Sequence, residues 1–237
     1  WGGPVPPRVK HRRVQLVGMS TLEVVDRWES GISWTVAEEV DGMHRTSHAI
    51  ETDAGVWVID PVDAPGLDEE IATLGEVVGV TLLLDRHKRD TAAVAERHGV
   101  PVSLPERLAG VADELDAETE VYSRALPDTD FRTITVVDNR LWHEVALYDE
   151  AEGTLIVPES VGTVDFFTTD EERLGVHPAR RLFPPRKSLG GLSPERVLVG
   201  HGPGVFDDAA NALRVALARS RKSAPKYYAG LLLTPFK

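Results

Sequence analysis

The chain has 237 residues, 42% of them hydrophobic and 27% charged, with no cysteine and a net charge of −12. That is length enough for a sizeable core in one large domain or two small ones. The composition excludes disulfides, thiol nucleophiles and thiolate metal sites. The acidic balance argues against nucleic acid as a partner, because such binding rests on basic surface; no apolar run approaches the roughly 20 residues of a membrane span, so no membrane partner is expected.

Residues 1–18 are rich in proline and glycine around the basic cluster Arg8, Lys10, His11, Arg12 and Arg13. They read as a flexible arm or upstream extension, with Met19 as a natural start and residues 19–237 as one domain. The apolar stretch Val14 to Met19 is too short for a signal-peptide core, and a cytoplasmic location is expected.

Strand and helix signals then alternate. Trp34 to Ala37, His48 to Thr52 and Val56 to Asp60 read as strands, the last closed by Pro61. Leu67, Ile71 and Leu74 have helical spacing within Pro65 to Leu74. A strand over Thr81 to Leu84 runs into a charged turn, and a helix covers Thr91 to His98. A polar segment opens at Leu104 and continues to Thr119. In the second half, Phe131 to Val137 is a strand with a turn at Asp138 and Asn139. Glu144 to Tyr148 and Thr154 to Val157 form a hairpin. Phe166 to Leu192 is irregular, with the basic patch Arg180, Arg181, Arg186 and Lys187. The strand Arg196 to Val199 leads into Gly200-His201-Gly202-Pro203-Gly204, and a last helix presents Ala209, Leu213, Ala216 and Leu217 on one face.

Five of these strand-then-loop pieces, in order over residues 30 to 215, resemble the metallo-β-lactamase superfamily. Thr46 to Asp60 resembles its opening hairpin. Asp85-Arg86-His87-Lys88-Arg89-Asp90-Thr91 stands where the superfamily has Thr-His-x-His-x-Asp-His. Arg140 falls at the histidine of Gly-His-Thr-Pro-Gly, before the strand Val145 to Tyr148. Glu159 takes the place of the bridging aspartate, and Val197 to Pro203 matches the last ligand motif with His201 in the ligand position. The resemblance implies an α/β chain (α+β) folded as a four-layer αββα sandwich, with a metal cleft at one sheet edge between two βα-rich halves.

The same register leaves the metal site degenerate. The first ion would be held by three histidines, here Arg86, Lys88 and Arg140, which offer no lone pair and repel a cation. The second would draw on Asp90, Thr91, Glu159 and His201, so that one zinc or other divalent ion, held by Asp90, Glu159 and His201, is the most this register allows. A cofactor-free site is the first expectation. The three cations are then expected to pair with Asp90 and Glu159 in the cleft and to favour a small anionic ligand there.

Asp60 is implied as a support of the motif loop. His87 and His143 beside Glu144 are further cleft candidates for ligand or acid–base work, as is His48 at the cleft mouth; His44 lies just before it. No nucleophile elbow, P-loop or dinucleotide fingerprint is present. The expected function is a metal-free binding protein on a hydrolase-like scaffold. The alternative is a hydrolase of an anionic ester, thioester or phosphoester with at most one ion. A homo-oligomer is compatible with the sequence.

Overall fold

Along the central strands, successive side chains enter two different apolar layers, and this alternation builds the architecture. The computed structural model describes residues 21–37, 45–88, 90–169 and 172–233, apart from the side chains of 231–233. The expected arm at residues 1–18, the domain start at Met19 and His44 lie outside the described residues.

The first sheet has seven strands in chain order: β1 (Thr21–Trp28), β2 (Gly31–Ala37), β3 (Ser47–Thr52), β4 (Gly55–Ile59), β5 (Val77–Thr81), β6 (Val102–Pro105) and β7 (Thr119–Tyr122). β1 to β4 pair antiparallel and β4 to β7 parallel. The parallel steps need crossovers. The helices α1 (Leu67–Ala72) and α2 (Thr91–His98) and a 3-10 segment at Glu106–Glu114 occupy them. The second sheet is built from β8 (Arg132–Asn139), β9 (Trp142–Asp149), β10 (Thr154–Val157) and, after the short pair β11 (Val161–Gly162) and β12 (Gly175–Val176), from β13 (Arg196–Val199); its order is β13-β10-β9-β8. The helices α3 (Arg186–Leu189) and α4 (Ala209–Leu233) cover it.

In β4, Val56 and Val58 pack with α1 and α2, whereas Trp57 and Ile59 pack with Leu147, Ile156 and Leu198 of the second sheet. In β10 and β13, Ile156 and Leu198 face that shared layer, while Leu155, Val157, Val197 and Val199 face Ala209, Leu213 and Ala216 of α4. Strands buried on both faces read as near-continuous apolar runs, which is why these segments show little polar alternation. Three apolar layers between four layers of secondary structure make the αββα sandwich.

Two sequence expectations need correction here. The strand expected over Thr81–Leu84 lies at Val77–Thr81. Beyond it the chain leaves the first sheet: Val145 N–H donates to the Leu83 carbonyl at 2.9 Å, and Leu84 bridges Glu144 of β9. The switch puts the following loop between the two sheets. The polar segment that opens at Leu104 holds the end of β6, the 3-10 segment and β7, and the charges of the last two mask a short strand at the sheet edge.

Candidate metal centre

Loops following the ends of β4, β10, β12 and β13, together with the loop after the Leu84 bridge, converge on one cluster. Asp60 closes β4 with φ 47, a left-handed conformation that Asp and Asn tolerate better than most side chains. Its two oxygens serve two neighbours: Oδ1 accepts from Leu83 N–H at 2.9 Å and Oδ2 accepts from His87 Nδ1 at 3.1 Å. Among residues 85–88 only His87 is buried, because the turn Leu84–His87 (His87 N–H to the Leu84 carbonyl, 3.1 Å) aims it inward. Burial pushes the His87 pKa down, but Asp60 outweighs it and the net direction is upward.

Glu159 lies in the bend that follows β10. That bend is shaped by Glu144, fully buried on β9, whose Oε1 accepts from the backbone N–H groups of Glu159 (3.0 Å) and Ser160 (2.7 Å). Burial raises the Glu144 carboxyl above its ordinary range. His201 is carried by the loop after β13. Gly200 is required there, since a Cβ would stand 2.0 Å from the Pro158 carbonyl oxygen; Gly202 has φ 96 and a Cβ on it would meet Thr163 Oγ1 at 2.3 Å. The two loops therefore pack backbone to backbone, and His201 meets Glu159.

The geometry centres on the Glu159 carboxylate. Oε2 lies 3.3 Å from His201 Nε2 and 3.6 Å from His87 Nε2, and Oε1 lies 3.3 Å from His177 Nε2. Burial alone would raise the Glu159 pKa, yet the bonds from His177, His201 and His87 hold it well below the ordinary carboxylate range. One ligand atom from each of His87, Glu159 and His201 lies within 4.8 Å of the other two. With Nδ1–H donated to Asp60, His87 points Nε2 at Glu159 Oε2; its proton bonds the carboxylate, and without that proton a lone pair faces it. Lone pair and carboxylate facing each other need a cation between them, a proton or a metal. A carboxylate behind a ligand histidine is the usual way a metal site fixes its tautomer, so the donor set fits a divalent ion.

The other sequence candidates lie elsewhere. Arg86 is exposed, its guanidinium 4.9 Å over the Trp142 ring. Lys88 pairs with Glu114 at the surface. Arg140 is exposed in the β8–β9 turn. These three thus form no cluster in the cleft: alternation around the turn buries His87 between them and turns its neighbours outward. Asp90, in place of which His87 joins the ligand group, accepts from Asp63 N–H at 3.2 Å. His143 Nδ1 bonds Asp138 at 3.0 Å across the hairpin. His48 is buried on β3, not at a mouth: Nδ1 meets Ser33 Oγ at 2.9 Å, and the Val199 carbonyl also bonds the ring.

His177 is the residue that sequence reading missed. It sits in the long segment taken as irregular, which holds β12, a 3-10 turn, Pro178–Arg180, and α3. The available signal was Pro178, a proline suited to a first helical position, directly after His177. Trp142 (5.0 Å), Phe167 (5.4 Å) and Phe166 (6.0 Å) stand edgewise around its ring, and Phe167 stacks on His201 at 5.4 Å.

No protein-family model and no curated protein matches the sequence. Among solved structures, the chain is similar to the DIM-1 metallo-β-lactamase exposed to ceftazidime (TM-score 0.59, 13% identity, 86% of this chain and 98% of that one). It is similar to TMB-1 at TM-score 0.61 and 10% identity, over 84% of this chain and 98% of that one. The mono-zinc form of the metallo-β-lactamase FIM-1 from Pseudomonas aeruginosa gives TM-score 0.55 and 7% identity, over 86% and 97%. Two packed sheets with a histidine–carboxylate cluster at their strand ends, and these likenesses in structure, show that the chain has the metallo-β-lactamase fold.

Proposed function

We propose that the protein is a metal-dependent hydrolase with a single divalent ion held by His87, Glu159 and His201. The observation that carries this reading is the convergence of three buried or near-buried donor atoms within 4.8 Å of one another, with Asp60 behind His87. Three protein ligands leave one coordination position for water or substrate, the arrangement of catalytic rather than structural sites. A mono-zinc form exists for FIM-1, a protein of the same fold, which supports the one-ion reading.

The chemistry such an ion supplies when bound is polarisation of a carbonyl or phosphoryl oxygen and acidification of water. The chain's own residues do the rest. Asp60 fixes the His87 tautomer, Glu144 sets the bend that presents Glu159, and Phe167 covers one face of His201. The substrate class this site suits is an ester, thioester or phosphoester.

The test is metal analysis of protein purified without chelator, followed by zinc titration and a panel of chromogenic esters. One ion per chain, lost in His201→Ala together with hydrolysis, is the expected result. If the wild type binds no ion, the proposal fails. The cluster is then a set of ion pairs joining the two sheets, and the protein is the metal-free binding protein that its sequence first suggested.

A further inference from the structure

We propose that His177 is a positioning residue for Glu159: a fixed Nε2–H holds Oε1, so that Oε2 alone faces the ligand nitrogens of His87 and His201. The inference rests on the metal reading above and assigns a task within that site.

The tautomer follows from the backbone. His177 is the N-cap of the 3-10 turn Pro178–Arg180, and its Nδ1 accepts from Ala179 N–H at 3.2 Å. An imidazole nitrogen that accepts carries no proton, so the ring proton of His177 is on Nε2. That nitrogen lies 3.3 Å from Glu159 Oε1. It can therefore donate to the carboxylate but has no lone pair to offer an ion, unless the cap is broken and the ring proton moves to Nδ1. The edgewise contacts of Trp142, Phe166 and Phe167 hold the ring against rotation. His87 is built the opposite way: Nδ1 donates to Asp60, so its Nε2 can become the acceptor when the proton it shares with Glu159 is displaced.

His177 and His87 thus anchor the same ring nitrogen in opposite ways, Nδ1 accepting in the first and donating in the second. One is prepared as a ligand and one as a hydrogen-bond donor. With Oε1 occupied, Glu159 would offer an ion one oxygen rather than two.

The direct test is long-range proton–nitrogen correlation NMR on the metal-free wild-type protein, with the His177 signals assigned by their loss in His177→Gln. The Nε2–H pattern is expected; an Nδ1–H pattern overturns the proposal. The second test is cobalt(II) titration followed by the visible ligand-field spectrum. His177→Gln keeps an N–H donor near the Nε2 position and is expected to titrate like wild type. His177→Leu is expected to bind one ion with affinity lowered about 10- to 100-fold, the usual effect of losing a residue that orients a ligand, and with an altered spectrum. Unchanged affinity and spectrum in His177→Leu would sink the positioning role, and abolished binding, as expected for His201→Ala, would show His177 to be a ligand. If wild type binds no cobalt, the metal reading fails, while the tautomer measurement still decides the His177–Glu159 bond.

Discussion

Asp60 ties the strand exit to the site: one carboxylate oxygen accepts from Leu83 N–H at 2.9 Å and the other from His87 Nδ1 at 3.1 Å. The bond to Leu83 fixes where the chain leaves the first sheet, and the bond to His87 fixes which ring nitrogen faces Glu159. One side chain thereby sets both the path of the loop and the chemistry of the one buried residue among 85–88.

Replacing Asp60 by Asn separates these tasks. Asn tolerates the positive φ at this position and can keep the Leu83 bond through its carbonyl oxygen, but it removes the charge behind His87. Asp60→Asn is expected to lower metal affinity about 10- to 100-fold while leaving the fold intact. Calorimetric zinc titration and a thermal melt check it together, and unchanged affinity would refute the supporting role.

Acid should destabilise the metal-free protein through His48. Burial lowers the His48 pKa from 6.5 to about 4, against the opposing effect of Asp60. The unfolded chain then takes up a proton first as pH falls, so stability is lost between pH 6.5 and 4, by up to about 3 kcal/mol. His87 has the opposite sign: its raised pKa gives stability that is complete below 6.5 and is lost as pH rises through the folded value, so it adds no slope in the acid window. Glu159, held low, adds a loss only below about 4.5. Urea midpoints at pH 7 and pH 5 are expected to differ less in His48→Gln than in wild type. An equal drop in both proteins would exclude His48 as the cause.

Arg181 is fully buried and binds Glu172 (2.6 Å), Ser223 (2.7 Å) and the Phe167 carbonyl, with its guanidinium 4.1 Å over Tyr227. It clamps the segment carrying Phe167 and His177 to α4. Breaking a buried pair from one side leaves an uncompensated charge, so Arg181→Met is expected to cost about 3–5 kcal/mol, with part recovered in Arg181→Met/Glu172→Met. Denaturant unfolding of the two variants measures this; a loss below about 1 kcal/mol, the range of an exposed pair, would contradict it.

Residue types and their order marked the buried strands and the covering helix, and the resemblance to the metallo-β-lactamase superfamily implied how they stack in layers. Apolar runs at Val56–Ile59, Thr154–Val157 and Arg196–Val199, each ending in a polar turn, specify strands buried on both faces, and the helical spacing of Ala209, Leu213 and Ala216 specifies a cover. Glu159 and His201 were legible through the register of that resemblance, each two residues past a strand whose boundary the sequence marks. Tertiary structure alone decided which residue of the charged turn enters the site. A shift of one residue exchanges inward and outward side chains, and the sheet switch at Leu83 with the turn after Leu84 turned His87 inward and left Arg86 and Lys88 outside. His177 was illegible because its segment takes its shape from distant partners: the Arg181 clamp onto α4, and the approach of Gly175, where a Cβ would stand 1.9 Å from the Phe167 carbonyl oxygen. Local periodicity encodes which face of a strand is apolar, but contacts between loops far apart in sequence decide which polar atoms meet.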